Sequence, residues 1–252
     1  MPEWIALGTA HAVPDETHAN THFVLHDSER TLLVDAPCGV AEQLRRAGVS
    51  PLHVTDLLLT HFHPDHTAGV PMFLMGTWLQ GRRETLHIYG LDDVITRLKG
   101  VMSLYRWEEW PDFFPVVFHT LPPTPRTLVL ETPGWRVLAS PVVHLVPTVG
   151  IRIEFANGDV LTYSSDTAPT PSVEDLANRA TFLFHEAAGA FSGHTSAAQA
   201  GEIAARAGVQ RLYLVHTDTD PAARARLAEE ARKTFSGPVV VAEDMLRITV
   251  GA

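Results

Sequence analysis

Apolar and polar positions follow two rhythms along the chain. Early on, short apolar runs with a period of two dominate. Residues 3–9, Thr21 to His26 and Thr31 to Asp35 predict strands, the last two joined by a turn at Asp27-Ser28-Glu29-Arg30. Ala10 to Asn20, which contains Pro14 and Asp15, reads as a loop. Ala41 to Ala47 predicts a short helix closed by Gly48. Val54 to Leu59 reads as a strand with a helix from Thr67 to Met75 behind it, and Leu86 to Tyr89 as a strand followed by a helix over Leu91 to Leu104. Tyr105 to Phe118 breaks the rhythm, with Trp107, Trp110, Phe113, Phe114 and Phe118 crowded around Pro111 and Pro115. Four strands follow, Thr127–Glu131, Trp135–Val143, Val149–Phe155 and Val160–Ser164, with Asn157-Gly158 as a two-residue hairpin turn between the last two.

After Asp166 strands and helices alternate. Val173 to Asn178 predicts a helix and Thr181 to His185 a strand. Thr195 to Ala207 predicts a helix, capped by Thr195 or Ser196 and ended by Gly208. Leu212 to His216 is a strand, Pro221 to Phe235 a helix opened by proline, and Val239–Ala242 and Leu246–Val250 are final strands. No linker or low-complexity segment interrupts the pattern. Residues 1–252 are therefore expected to form one domain, accommodated by two sheets packed face to face with helices outside.

Composition narrows the function. At 45% hydrophobic, 252 residues can bury a substantial core. No apolar run approaches the ~20 residues of a membrane helix, and the first residues lack the basic start and apolar block of a secretory signal. Cys38 is the only cysteine, so no internal disulfide is expected. A cytoplasmic protein without a membrane partner is the simplest expectation. The net charge is −10, and the densest basic spot is Gly81-Arg82-Arg83. Proteins that grip nucleic acid through phosphates usually carry a basic patch, so a small-molecule substrate is expected over a large polyanion.

Histidine is over-represented, at 14 residues. The densest group follows Leu57-Leu58-Leu59: Thr60-His61-Phe62-His63-Pro64-Asp65-His66. Imidazole and carboxylate suit zinc, and manganese or iron would suit the same groups. Past a strand, His61 and His63 can point the same way. Pro64 fixes a turn that directs Asp65 and His66 to a second position. Two ions ~3.5–4 Å apart are a recurrent hydrolytic design. Each zinc takes about four ligands, so other residues must contribute. His144, Asp166 and His216 each end an apolar strand and are the candidates. Taken singly, His144 and His216 read more readily as ordinary capped or solvated strand-end residues than as ligands, and Asp166 also reads as the cap of a turn running to Pro169. The intact cluster at 61–66 makes them its expected completion.

These residues resemble the motifs of the metallo-β-lactamase superfamily of hydrolases. Thr60 to His66 matches its His-x-His-x-Asp-His motif, and His144, Asp166 and His216 match its later motifs in type, order and strand context. The resemblance is nearest to the ribonuclease Z and phosphodiesterase branch. Its carriers are Leu7 to Pro14, Leu33 to Gly39, His87-Ile88-Tyr89-Gly90, the set His144, Pro147, Gly150 and Arg152, and Phe184-His185-Glu186-Ala187 with Gly193-His194-Thr195 and Gln199-Ala200. It implies an α/β fold, a four-layer αβ/βα sandwich of two mixed sheets with helices on the outer faces. It further implies two zinc ions at one edge. His61, His63 and His144 would hold one, Asp65, His66 and His216 the other, and Asp166 would bridge them.

The chain also departs from that branch. Ribonuclease Z carries an RNA-gripping arm between the motifs equivalent to His144 and Asp166, and here residues 145–165 leave room only for a hairpin. Thr217-Asp218-Thr219-Asp220 stands where the family has a Ser and an Arg, and His194 follows Glu186 closely. With the acidic balance, these points argue against transfer RNA. A class B β-lactamase would be exported and carry a late cysteine, whereas Cys38 precedes the metal motif.

The expected activity is a dinuclear metal-dependent hydrolase that cleaves a small phosphodiester with a hydroxide formed on the metals. Asp65 and Asp166 would orient the water. By resemblance His194 would protonate the leaving group and Glu186 would hold it, with His185 a lesser candidate. Asp35, Thr60 and Ser164 are expected to fix the free nitrogens of ligating imidazoles, although Asp35 reads equally as a turn-stabilising carboxylate. A lactone, thioester or other carboxylic ester is the alternative substrate, and a non-catalytic or RNA-associated role the third reading. Tyr105 to Phe118 is read as a core or homodimer contact before a substrate wall. His11, His18, His22 and His26 are expected at the surface or in loops, with His11 the one to approach the site.

Overall fold

A computed structural model describes residues 1–250. Its first sheet contains β1 (Glu3–Gly8), β2 (His22–His26), β3 (Thr31–Val34), β4 (Asp56–Leu58), β5 (Leu86–Leu91) and β6 (Val116–Leu121). The second contains β7 (Thr127–Glu131), β8 (Trp135–Val142), β9 (Thr148–Phe155), β10 (Val160–Tyr163), β11 (Phe182–Glu186), β12 (Arg211–Val215) and β13 (Val239–Val241), and β14 (Arg247–Thr249) returns to the first. The orders are β14-β1-β2-β3-β4-β5-β6 and β13-β12-β11-β10-β9-β8-β7. Within each sheet an antiparallel half passes into a parallel half: β3, β4, β5 and β6 run parallel in one, and β10, β11, β12 and β13 in the other.

The sheets pack through aromatic rings. Trp4 stacks on Phe23 with centroids 4.8 Å apart, and Phe23 of the first sheet meets Tyr163 at 4.7 Å and Phe184 at 5.5 Å in the second. Strand neighbours face the other way. Leu183, Leu212 and Leu214 pack under α5 (Pro171–Leu176), α6 (Ala197–Ala207) and α7 (Pro221–Arg232), with Val173, Ala200, Ile203 and Ala231. Strands buried on both faces read as continuous apolar runs, which is why Leu57-Leu58-Leu59 lacks alternation. The remaining helices are α1 (Val40–Arg46), α2 (Pro64–Thr67), α3 (Val70–Leu79) and α4 (Asp92–Leu104). No helix among the described residues is long and apolar enough to cross a membrane.

Several elements differ from the expectation. The single helix over 67–75 is instead two, α2 and α3, and α2 begins inside the metal motif. Pro64 occupies its first turn, where a missing N–H leaves nothing unsatisfied. Strand β6 lies within and beyond the aromatic stretch, where ring-rich sequence hid its alternation. Helix α6 starts at Ala197 because Ser196 and Gln199 form a capping box. Helix α7 stops at Arg232, where Thr234 Oγ1 turns to the Ala198 carbonyl, 2.8 Å away. His22 is fully buried in β2 and not at the surface, and burial lowers its pKa to about 4.

The aromatic stretch packs against its own chain. Trp110 stacks on Trp78, near the C-terminal end of α3, at 5.1 Å, and Phe114 is buried. Helix α3 leads away from the histidine motif, so these rings sit at its remote end.

The junction between α2 and α3 is strapped to the loop after β3. Ala36 N–H donates to the His66 carbonyl at 2.7 Å and Gly69 N–H to the Ala36 carbonyl at 2.9 Å. A Cβ on Gly69 would stand 1.9 Å from the Pro37 carbonyl oxygen. Backbone cannot yield as a flexible side chain can, so Gly69→Ala is expected to lower unfolding free energy by about 3 kcal/mol in urea titrations. Gly100→Ala, facing open space in α4, is expected to raise it by roughly 0.5–1 kcal/mol. Equal effects of the two substitutions would contradict the strap.

Candidate metal centre

Parallel neighbours end at the same edge, so the C-terminal ends of β3, β4, β10, β11 and β12 deliver Asp35, the 60–66 motif, Asp166, Glu186 and His216 to one rim. Strand β8 runs parallel to β10 across β9 and brings His144 to the same place. Asp35, Ser165 and His216 have left-handed backbones, with φ of 64°, 54° and 51°. Such values are uncommon outside glycine, and here they mark three of the sharp strand exits.

Asp166 lies at the centre. Its Oδ2 is 3.8 Å from His61 Nε2, 3.8 Å from His144 Nε2, 3.6 Å from His66 Nε2 and 3.3 Å from His216 Nε2. Asp65 Oδ2 lies 3.5 Å from His66 Nε2 and 3.4 Å from His216 Nε2, and His63 Nδ1 lies 3.2 Å from His144 Nε2. These separations approach the edge of a tetrahedron built on ~2.1 Å metal–ligand bonds, about 3.4 Å. The donors fall into two groups, His61 with His63 and His144, and Asp65 with His66, Asp166 and His216, each with ligand atoms within 4.8 Å of one another.

His61 Nε2, His66 Nε2 and Asp166 Oδ1 are buried without a hydrogen-bond partner. Leaving such atoms unsatisfied costs about 1–3 kcal/mol each. Coordination of a cation would satisfy them, so the donor set fits a first-row divalent ion. Burial pushes His66 down, but Asp166 and Asp35 outweigh it and hold its pKa well above the ordinary value. Burial pushes Asp166 up, and His216 and His66 outweigh it, holding the carboxyl well below its ordinary range. The site is therefore a fixed negative centre ringed by imidazoles.

The imidazoles of His66, His61 and His144 are aimed by their other nitrogens. His66 Nδ1 donates to Asp35 Oδ2 at 2.7 Å, and Asp35 also accepts from Thr60 N–H and Thr60 Oγ1, both at 2.8 Å. His61 Nδ1 lies 3.0 Å from Thr60 Oγ1, which relays it to Asp35. His144 Nδ1 donates to the Gly193 carbonyl at 2.8 Å. Ser164 does not share this role: its Oγ donates to the Ser165 carbonyl and accepts from Glu186 N–H, so it ties strand ends together. His185 is fully buried with Nδ1 on the Glu186 carbonyl, and burial lowers its pKa to about 4. It faces no solvent from which to take or deliver a proton.

Glu186 and His194 are brought together, with Oε1 3.0 Å from Nδ1. The same carboxylate accepts from Thr167, Ala188 and Thr195 N–H groups, and Thr195 Oγ1 donates to the Thr167 carbonyl. His194 packs edge-on against His144 with centroids 4.8 Å apart, and its ligand atom falls within 4.8 Å of those of His144 and Asp166. His11 approaches His216 with centroids 6.4 Å apart. Sequence reading passed over Thr167, and named Gly193 and Thr195 only as part of the family motif or, for Thr195, as a helix cap, without a role in the site. Gly193 acts through a carbonyl that every residue has, and only its place before His194 marks it.

Known proteins share the sequence pattern and the fold of this chain. The sequence profile of the β-lactamase superfamily domain matches residues 30–217. A ribonuclease Z of Methanothermobacter thermautotrophicus is 29% identical over 100% of this chain and 98% of its own length. Among solved structures, the metallo-β-lactamase fold protein YhfI of Bacillus subtilis superposes with a TM-score of 0.84 at 22% identity, covering 98% of each chain. The short form of human tRNase Z superposes at 0.80 with 23% identity, covering 99% of this chain and 100% of the other.

Two outcomes follow from the geometry. Asp35→Asn keeps the shape but removes the charge facing His66, and is expected to weaken zinc binding ~10–100-fold in competition titrations. Unchanged affinity would reduce Asp35 to a turn residue. The unfolded chain protonates residue 185 near pH 6.5, and the folded one only near 4. Its contribution is constant above the unfolded value and is lost as pH falls. Wild type is thus expected to lose roughly 2 kcal/mol more stability than His185→Asn between about pH 7 and 5, read by denaturation at each pH.

Proposed function

The chain belongs to the β-lactamase superfamily, whose members here are metal-dependent hydrolases, and from that membership we propose that it is a dinuclear hydrolase of small phosphodiesters. One observation carries the reading: Asp166 Oδ2 stands within 3.3–3.8 Å of imidazoles from both donor groups. His61, His63 and His144 would hold one zinc and Asp65, His66 and His216 the other, with Asp166 shared between them. Manganese or iron would suit the same donors. When bound, such ions would acidify a water towards neutral pH and polarise a substrate oxygen.

The chain's own residues do the rest. Asp65 and Asp166 would accept a hydrogen bond from the attacking water and orient it. Glu186 accepts from His194 Nδ1–H and supports the protonated ring, whose Nε2–H passes its proton to the departing alkoxide. The small substrate is supported by the segment between His144 and Asp166. Apart from its ends it contains only β9, the Asn157-Gly158 turn and β10, and offers no projecting arm for transfer RNA.

The test is leaving-group dependence. Metal-loaded protein is expected to hold about two equivalents and to cleave bis(p-nitrophenyl) phosphate. His194→Ala is expected to lower kcat ~10²-fold or more for a diester with an alkoxide leaving group. Its effect on p-nitrophenolate departure is expected to be below about tenfold, because that group leaves without help. Metal-replete protein that hydrolyses lactones or thioesters and no diester would overturn the proposal.

A further inference from the structure

The mouth of the site has one aromatic ring that packing has fixed in solvent. Phe191 is 57% exposed, yet it is not loose. Its ring lies over Gly189, where a Cβ would come within 2.8 Å of it, and 4.7 Å from the His194 ring. Phe191 N–H donates to the Gly189 carbonyl, and His194 N–H donates to the Phe191 carbonyl, both at 3.0 Å. Gly189, with φ 139°, is thus the residue that lets the ring fold back beside the site. Leu145 is 62% exposed and borders Gly193, the residue before His194, whose missing Cβ would stand 3.1 Å from Leu145 Cγ. Two exposed apolar side chains therefore lie beside the Gly193-His194 segment that faces the metal ligands.

The polar inventory around this pair is one-sided. Segments 9–14, 60–69, 143–149 and 187–196 surround the donors and contain no Lys or Arg. A diester's single charge can be met by the metal ions, but further phosphates along a chain would each need a cation. We infer that the substrate carries an uncharged ring next to the scissile phosphorus, received by Phe191 and Leu145, so that these two residues set specificity. The inference rests on the diesterase reading. A ring offers a face to Phe191 that an alkyl group does not, and aromatic pairs gain more than their buried area alone.

Two diesters with the same leaving group isolate the contact: phenyl p-nitrophenyl phosphate and methyl p-nitrophenyl phosphate. Wild type is expected to favour the phenyl ester by about tenfold in kcat/KM, mostly through KM. Phe191→Ser is expected to shrink that preference to about twofold, and Leu145→Ser to an intermediate value, with bound zinc unchanged. The intrinsic reactivity difference cancels between wild type and variant. A preference that survives in both variants, or none in wild type, overturns the inference. If metal-loaded wild type cleaves neither ester, the diesterase reading alone falls. Calorimetry with phenylphosphonate and methylphosphonate then decides: tighter phenyl binding in wild type, lost in Phe191→Ser, supports the apolar mouth, and equal affinities overturn it.

Discussion

One carboxylate oxygen within 4 Å of four buried imidazole nitrogens is the constraint on which the structure turns. Isolated, each of these groups would be costly to bury. Together they persist because Asp166 supplies the charge that the imidazoles answer, and because groups behind three of them, His61, His66 and His144, fix their orientation. Asp35 anchors the first sheet's contribution, since it holds His66 directly and His61 through Thr60. Glu186 anchors the second sheet's contribution, since it holds the Asp166–Thr167 turn and His194 at once. Neither anchor needs to touch the substrate to govern what the site can do.

The legible part of the fold was the part written in period. Apolar runs gave all but one strand to within a few residues, because burial on one or both faces demands them. Strand β6 escaped because its valines follow a cluster of rings and prolines that reads as irregular chain. The cluster at 61–66 was legible because so many costly polar groups in six positions have few uses. His144, Asp166 and His216 were legible only as its completion. What sequence could not convey was contact through backbone: the Gly193 carbonyl on His144, or the N–H groups that converge on Glu186. Ser164 shows the reverse error. A hydroxyl beside a metal motif invites a ligand-orienting role, yet its short reach is satisfied by neighbouring strand ends.

The site also separates reaction type from substrate identity. The donors and their supports lie on strand ends, where the sheets dictate position. Phe191 and Leu145 lie on connecting loops, where substitution disturbs little packing. Relatives that share this strand framework can therefore differ in what they admit, and likeness to ribonuclease Z over nearly the whole chain describes the framework more than the mouth.

Each donor group draws from both sheets. His61 and His63 follow a strand of the first and His144 one of the second; Asp65 and His66 are likewise opposed by Asp166 and His216. An ion in either position would rivet the seam of the sandwich. Ion supply would then govern the persistence of the protein as well as its turnover. At a hundredfold excess over its dissociation constant, one such rivet adds about 2.7 kcal/mol to the folded state. Molecules starved of metal would open along the seam and meet proteases first, so a cell would keep chiefly those copies that are loaded.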